Sequence, residues 1–540
     1  LPRLRKGRDK IKTLILAEKP AVAEHMTVAL GVPAVAARGH LLELKPVSRR
    51  WNPPYFELKW VPKVAAVKLL DDLVDAIREA DEVVVGTDYD EEGQLLARNI
   101  LQHADVEPSS VVRMKFSSLE PEEISKAYNS PIKFDMNIAY AAECRHHLDW
   151  YFGQNISKTL TQISGNRTGR RGLTPVGRVQ SPTLFHLVKK EREIDGFVPR
   201  DVWWAEMYGL DSSTVFRVGS LRFGTKANVE NFVKNTQAVA VDRREYVREV
   251  EHFAPNADDI IEECLRMGIQ ADIANRILRD LFQDAFISYP GTESQKYKGV
   301  DTRKYLRRIA AAVPLAKEAL ELGLPPREGP ADDPAHPAIY AIKPYPEKKG
   351  LYATIWNIVA EKFVQCHLPP EKFIEVETDI QIGEETVRCS GKLPDQFDVR
   401  YNVEKRKTRP PSRHGAEDVY SFMREVDIGT KDTRTVTLSK LFGTYVHQTS
   451  EGLFVSSKGM RVANCLEHLA GDLVSVDLTR RFEKLVKDVR SRKQSMNEVL
   501  KEGKRSVTKL VKKLQDNKEE VARLLSGSGN TKNIEAQLGG

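Results

Sequence analysis

Four acidic residues crowd the stretch Asp88-Tyr89-Asp90-Glu91-Glu92, directly after the apolar run Val83 to Val85. At D-x-D-x-E spacing, Asp88, Asp90 and Glu92 would repel one another unless a cation sat between them. Oxygen-only ligands of this kind suit Mg²⁺, which keeps several waters and completes its shell from phosphate. The same pattern also fits a solvated acidic turn. A second chemical stretch is "AFISYPGTES", residues 285 to 294, where Pro290-Gly291 turns the chain just after Tyr289. A tyrosine so placed can present its phenolic oxygen to a phosphodiester, given cations and a proton donor for the departing oxygen. Without such surroundings it is one of sixteen tyrosines with a structural job. The third is Glu18-Lys19-Pro20, a carboxylate beside a lysine, fit either for acid/base work next to a phosphate or for an ordinary surface pair.

The elements that must hold these groups are legible around them. Val83 to Val85 has the β-branched character of a strand buried on both faces, and "QLLARNILQHA" has the spacing of an amphipathic helix. Thr13 to Leu16 predicts another strand, followed by a helix ending at Gly31. Ligands of open α/β sheets collect at the carboxyl ends of strands, where both acidic motifs fall. Residues 201 to 255 and 373 to 392 alternate as strands, with a mostly helical insertion at roughly 257 to 365 between them. Interrupted strand blocks of this kind point to one β-rich domain that carries another on an excursion. "GNRTGRRGLTPVGRVQSPTL" is a Gly- and Arg-rich loop entering a helix, 414 to 525 is mainly helical, and the last residues look frayed.

At 540 residues a single core is excluded, and roughly three to five domains are expected. The five cysteines lie far apart with no C-x-x-C, which excludes a zinc ribbon and a disulfide scaffold and fits a reducing compartment. No run of eighteen apolar residues and no signal-peptide pattern occurs, so a soluble, non-membrane protein is expected. The net charge of +7 is unevenly placed, since Arg480 to Arg523 holds fifteen Lys/Arg against seven Asp/Glu. Such a segment is either a surface for a polyanion, usually nucleic acid, or an ordinary basic helical face.

Taken in order, the motifs resemble one family, the type IA DNA topoisomerases, and within them the topoisomerase III group, over roughly residues 11 to 500. The resemblance rests on Glu18-Lys19-Pro20 after the first strand, on "RGHLLELKPVSRRWNPPYFELKWVP", and on Thr87 to Gly93 against T-D-x-D-x-E-G. It continues through Arg113 and Phe116, then Arg145, Asp149, Trp150, Gly153, Asn155 and Ser157, and then "GRVQSPTL". "ISYPGTES", "DPAHPAIYA" with His336, "RPPSRHGAEDVYSFMREVDIGTKDTR" and "DLTRRFE" complete it.

The resemblance implies a multidomain α/β plus α and β chain, with a toprim α/β domain in a four-domain toroidal core. The implied domains are 11–160 (toprim), 161–204 with 412–525 (helical, DNA-binding), 205–256 with 366–411 (β-rich hinge) and 257–365 (helical, with the tyrosine), then a flexible tail at 526–540. It implies that Tyr289 attacks one DNA strand, leaving a 5′-phosphotyrosine, that another strand passes, and that the break is resealed without ATP. Lys19 would hold the scissile phosphate, and Glu18 would protonate the leaving 3′-oxygen. Glu18, Asp88, Asp90 and Glu92 would hold Mg²⁺. Arg145, Asp149, Arg178, Gln180, Ser181 and Gly291 would face DNA, and His336 would donate to a phosphate. The implied partners are single-stranded or underwound DNA and, as an option, a helicase. The implied setting is a cytoplasmic, nucleoid-associated monomer, and the composition suits an archaeon.

The sequence also departs from the family pattern. Gly291 stands where the family usually has an arginine that could stabilise the phosphate, so attenuated cleavage, or another cation in its place, is expected. A single-strand-binding toroid without turnover is the competing reading, whereas a toprim primase or nuclease would leave Tyr289 and GRVQSPTL unexplained. Glu91 and Gln94 replace the family's arginine and glutamate, which predicts a more negative strand end. Asn357 and Ile358 replace paired arginines, and no cysteine motif is left for a C-terminal zinc domain.

Overall fold

The computed structural model describes residues 11–165, 174–210, 215–235, 240–382, 385–390 and 398–526. Residues 166–173 of the Gly/Arg-rich loop and the expected tail from 527 on lie outside the described residues. The chain forms two compact units, residues 1–189, 253–367 and 413–540 in one, and 190–252 and 368–412 in the other.

The first unit opens with β1 (Ile11–Ala17), α1 (Pro20–Leu30), β2 (Ala34–Ala36), the hairpin β3 (Leu42–Pro46) and β4 (Leu58–Pro62), and α2 (Val67–Glu79). Next come β5 (Ala80–Gly86), α3 (Glu91–His103), β6 (Val112–Arg113), α4 (Pro121–Asn129), β7 (Ile132–Lys133) and the 28-residue α5 (Met136–Ile163). Five strands make one sheet in the order β2-β1-β5-β6-β7, parallel except for β7. Leu14, Ile15 and Leu16 of β1 are fully buried, as is Val85 of β5, as expected for strands covered on both faces. Each such side chain contributes about 2 kcal/mol through removal of apolar area from water.

Register then sets the chemistry. Ala17 pairs with Gly86, so the residues leaving β1 and β5 emerge side by side at the carboxyl edge. Those residues are Glu18-Lys19 and Thr87-Asp88. Pro20 at the first turn starts α1, and Gly31 in the left-handed region ends it. Asp90 caps α3 through its side chain, with Glu91 and Glu92 in the first turn, where helix polarity favours acids.

Within the same unit, Tyr289 follows two amphipathic helices, Ala257–Arg266 and Ala271–Gln283, and lies outside regular structure. Its neighbours are stitched down all the same. Ile287 bridges Ala341, and the Ser288 N–H donates to the Tyr340 carbonyl at 2.9 Å. The C-terminal helices Val476–Arg490 and Met496–Asp516 bury apolar stripes that include Phe482, Val486, Val507 and Leu510.

The second unit is antiparallel. Strands Asp201–Leu210 and Val215–Phe223 form a sheet with Asp398–Lys407, and Ala240–Val250 forms another with Glu371–Ile382 and Glu385–Ser390. Each sheet joins strands from the first and second passes of the chain, so neither pass completes a sheet alone. Met207, Val218, Ile380, Val387 and Cys389 make its core.

Candidate active site

Thr87 and Asp88 are held by a buried arginine. Arg113, 1% exposed, donates to the Thr87 hydroxyl at 2.9 Å and to the Thr87 and Asp88 carbonyls at 3.1 and 2.5 Å. Gly93 allows the next turn to close, because a Cβ there would lie 2.2 Å from the Asp88 carbonyl oxygen. The Asp90 carboxylate accepts the Gly93 N–H at 2.7 Å through one oxygen and the Tyr289 hydroxyl through the other. That second bond brings the two sequence motifs together, 199 residues apart. The Tyr289 N–H also donates to the Ser117 carbonyl at 2.7 Å.

Charge divides the acidic residues into two groups. Burial and then the neighbouring Asp88 and Asp90 push Glu18 well above the usual carboxylate range. Burial and Asp90 push Asp88 up to about 6, against the pull of Lys19, Arg279 and Arg113. Asp88 Oδ1 is buried and has no hydrogen-bond partner. Burial, Asp90 and Asp88 together hold the Tyr289 phenol well above 10, so it keeps its proton.

Glu91 and Glu92 go the other way. Burial opposes their ionisation, but Arg145 at 2.5 Å and Arg490 at 3.4 Å hold Glu91 below its ordinary value. His146 at 2.9 Å and His40 at 3.0 Å do the same for Glu92. The more negative strand end expected from Glu91 is therefore corrected, since two arginines neutralise it. Gln94 is buried and donates to the Asp135 carbonyl at 3.0 Å, tying α3 to the start of α5.

Glu92 lines the same cleft as Glu18, Asp88 and Asp90, and its carboxylate is bound by His40 and His146. Its carboxylate oxygen and the Nε2 atoms of His40 and His146 lie within 4.8 Å of one another. Two imidazole N–H groups on one carboxylate oxygen stand without an ion, so Glu92 is accounted for by its own neighbours. Reading D-x-D-x-E as one ligand set missed both histidines. His40 in G-H-L was the available signal, and no spacing rule pointed to His146.

His336 stands beside Tyr289. It is 1% exposed, and its ring lies 4.2 Å from the Tyr289 ring, centroid to centroid. Nε2 is 3.1 Å from the Tyr89 carbonyl, which can only accept, so Nε2 carries the proton and Nδ1 accepts from the Ser117 hydroxyl at 3.0 Å. Burial, then Lys431, keeps it neutral by pulling its pKa well below 6.5. Both nitrogens are engaged within the fold, and the ring packs against Tyr289 on the wall of the cleft that holds Glu18 and Lys19.

The basic residues expected to face DNA are similarly occupied. Arg178 is 2% exposed, bonded to Asp149 at 2.6 Å and within 3.4 Å of Glu483. Arg145 lies between Glu91 and Glu483. Ser181 is buried, and Gln180 Nε2 is buried without a partner. Neither the Arg178 nor the Ser181 side chain reaches solvent in this arrangement, and Arg178 is held by its two acidic partners. Asp149 remains half-exposed.

A cleft of about 1140 Å³ collects the rest. Glu18, Lys19, Asp88, Asp90, Tyr289 and Gly291 line it, with Arg279, Lys431, Lys487 and Arg490 adding positive charge. Carboxylates at a sheet edge, a phenol bonded to one of them and cations around the rim suit chemistry on a phosphodiester.

Comparison with known families supports that chemistry from a separate direction. A family model described as "DNA topoisomerase" matches residues 133–396 and 394–501, and one described as "Toprim domain" matches 13–119. DNA topoisomerase 1 of Pyrococcus horikoshii is 28% identical over 96% of this chain and 87% of its own length. DNA topoisomerase 3 of Bacillus licheniformis is 23% identical over 93% and 82%. The structure of full-length topoisomerase I from Thermotoga maritima superposes with a TM-score of 0.73 at 20% identity, covering 93% of this chain and 90% of that one.

Proposed function

The chain belongs to the type IA DNA topoisomerases, and from that premise we propose that Tyr289 is the residue that cuts and reseals the DNA strand. The observation that carries this is the hydrogen bond from the Tyr289 hydroxyl to Asp90, which sets the phenol at the sheet edge beside Glu18 and Asp88. One DNA strand lies in the cleft with its phosphate near Lys19. The Tyr289 oxygen attacks phosphorus and passes its proton to Asp90. The bond to the 3′-oxygen breaks, and Glu18, which burial and its acidic neighbours keep protonated, supplies the proton that oxygen needs. The products are a 5′-phosphotyrosine and a 3′-hydroxyl. Reversal after strand passage reseals the strand and needs no ATP, because the ester conserves the bond energy.

Asp88 would hold Mg²⁺, with Asp90 beside it and Glu18 joining once it has given up its proton, since Asp88 Oδ1 is a buried hard oxygen without a partner. Bound there, the cation supplies charge neutralisation for the phosphate and the resealing hydroxyl. Glu92 supports this set from outside through His40 and His146. Within the family we place the chain in the topoisomerase III group, a reading that the likeness to DNA topoisomerase 3 of Bacillus licheniformis supports, with underwound DNA as the substrate. A helicase partner and a nucleoid setting follow from that reading.

Relaxation of negatively supercoiled plasmid tests it. The chain should relax plasmid with Mg²⁺ and not with EDTA, and Tyr289→Phe should form no DNA adduct. An adduct that persists in Tyr289→Phe would remove the assignment. Retained DNA binding without relaxation by the unmodified chain would favour a binding protein instead.

A further inference from the structure

Gly291 leaves a space beside the nucleophile, and a cation from elsewhere in the chain fills it. A Cβ built on Gly291 would lie 2.7 Å from Lys431 Nζ and 2.8 Å from two ring carbons of Tyr289. Lys431 is the first residue of the helix Lys431–Phe442, whose start is fixed by the Thr430 side chain accepting the Thr433 N–H. Its ammonium stands 5.5 Å from the centre of the Tyr289 ring.

The neighbouring cations differ in how they are bound. Arg279 is bound to Asp432 at 2.5 Å, and Asn275 fixes the same carboxylate at 2.9 Å. Arg145 and Arg490 are engaged with Glu91. Lys431 has no ion pair and no hydrogen bond through Nζ among the described residues, although Asp432 follows it in sequence and Asp88 and Asp90 share the cleft. A long, half-buried lysine beside a phenol that must meet a phosphate, with its charge uncommitted, is placed to receive an anion.

We infer that Lys431 is a second phosphate-contacting cation of the cleavage step, beside Lys19, donating to a non-bridging oxygen of the scissile phosphate, and that Gly291 is small so that this ammonium can occupy the space. Charge on those oxygens is stabilised as the Tyr289 oxygen–phosphorus bond forms and the 3′-oxygen–phosphorus bond breaks, and Lys431 gains or loses no proton. This rests on the assignment of Tyr289 as nucleophile. The cation thus enters from a segment 142 positions away from Tyr289 rather than from the residue two places after it.

The test is single-turnover cleavage of a labelled single-stranded oligonucleotide, read as 5′-linked adduct, alongside oligonucleotide binding by fluorescence anisotropy. Lys431→Met should cleave about 100-fold more slowly, the usual loss for one positioned transition-state donor, with binding changed only a few-fold. Lys431→Arg should keep most of the rate. Gly291→Arg with Lys431 retained should slow cleavage, and an acceleration would show an unfilled cation position and overturn the assignment.

Lys431→Cys guards against a folding defect. The five native cysteines are all buried, so aminoethylation addresses the introduced thiol. Recovery of cleavage on restoring an amine at that position supports the role, and an unchanged rate before and after overturns it. Wild-type cleavage by Lys431→Met with Tyr289→Phe inactive removes Lys431 alone, whereas an adduct in Tyr289→Phe removes the nucleophile assignment beneath it.

Discussion

Two groups of carboxylates sit within a few residues of each other and have opposite surroundings. Glu18 and Asp88, at the ends of β1 and β5, are buried beside like charge, and both are pushed above their ordinary values. Glu91 and Glu92, in the first turn of α3, face Arg145, Arg490, His40 and His146 and are pulled below theirs. A buried carboxylate without a partner is costly. The chain removes that cost at Glu91 and Glu92 and leaves it at Asp88, whose Oδ1 has no partner. The difference separates acids whose charge the fold already pairs from acids left beside like charge at the cleft.

The largest expected effect comes from removing one member of the first group. Asp88→Asn should lower Mg²⁺-dependent relaxation about 100-fold, comparable to the loss of one positioned electrostatic group. It should leave the thermal midpoint in EDTA unchanged or raised, because a strained charge has been removed. A large fall in that midpoint would mean that Asp88 is structural, and the contrast would collapse.

Glu91→Gln should do the reverse. It leaves Arg145 and Arg490 short of a partner, and breaking a mostly buried pair costs about 3 kcal/mol. Urea unfolding would show this, while calorimetric Mg²⁺ affinity stays near wild type. A loss of affinity with unchanged stability would place Glu91 in the cation site instead.

A smaller effect sharpens the paired class. Glu143 on α5 is held down at about 2, since hydrogen bonds from His147, Arg98 and Trp60 and the charge of Arg98 outweigh burial. Its folded value lies below its unfolded one. Its contribution is therefore full above about pH 4.5 and lost as pH falls towards 2. Glu143→Gln should flatten that acid limb of the stability curve, measured as urea midpoint against pH. An unchanged limb would assign acid sensitivity to other groups.

The sequence carried the strands, since TLIL and VVV are short β-branched apolar runs of the kind a doubly covered sheet buries, and it singled out Tyr289 as a candidate through the turn that follows it. Strand alternation at 201 to 255 and 373 to 392 was equally local and meets strands at Asp201–Leu210, Val215–Phe223, Ala240–Val250, Glu371–Ile382 and Glu385–Ser390, although Lys226–Asn235 between the second and third is a helix. His336 was legible as a motif but not as a role. Both of its ring nitrogens are taken by Ser117 and Tyr89, partners far away in sequence. The resemblance at GRVQSPTL marked Arg178, but its partners Asp149 and Glu483 were not visible in the sequence.

By itself, then, the sequence determined which residue types stand at strand ends and turns, because propensity and hydrophobic period act over a few residues. Only the tertiary structure decided which charges are already neutralised. A charge's state depends on what lies within a few ångströms, and folding brings Asp90 to Tyr289, Glu92 to His146 and Lys431 to Gly291 from segments with no local relation.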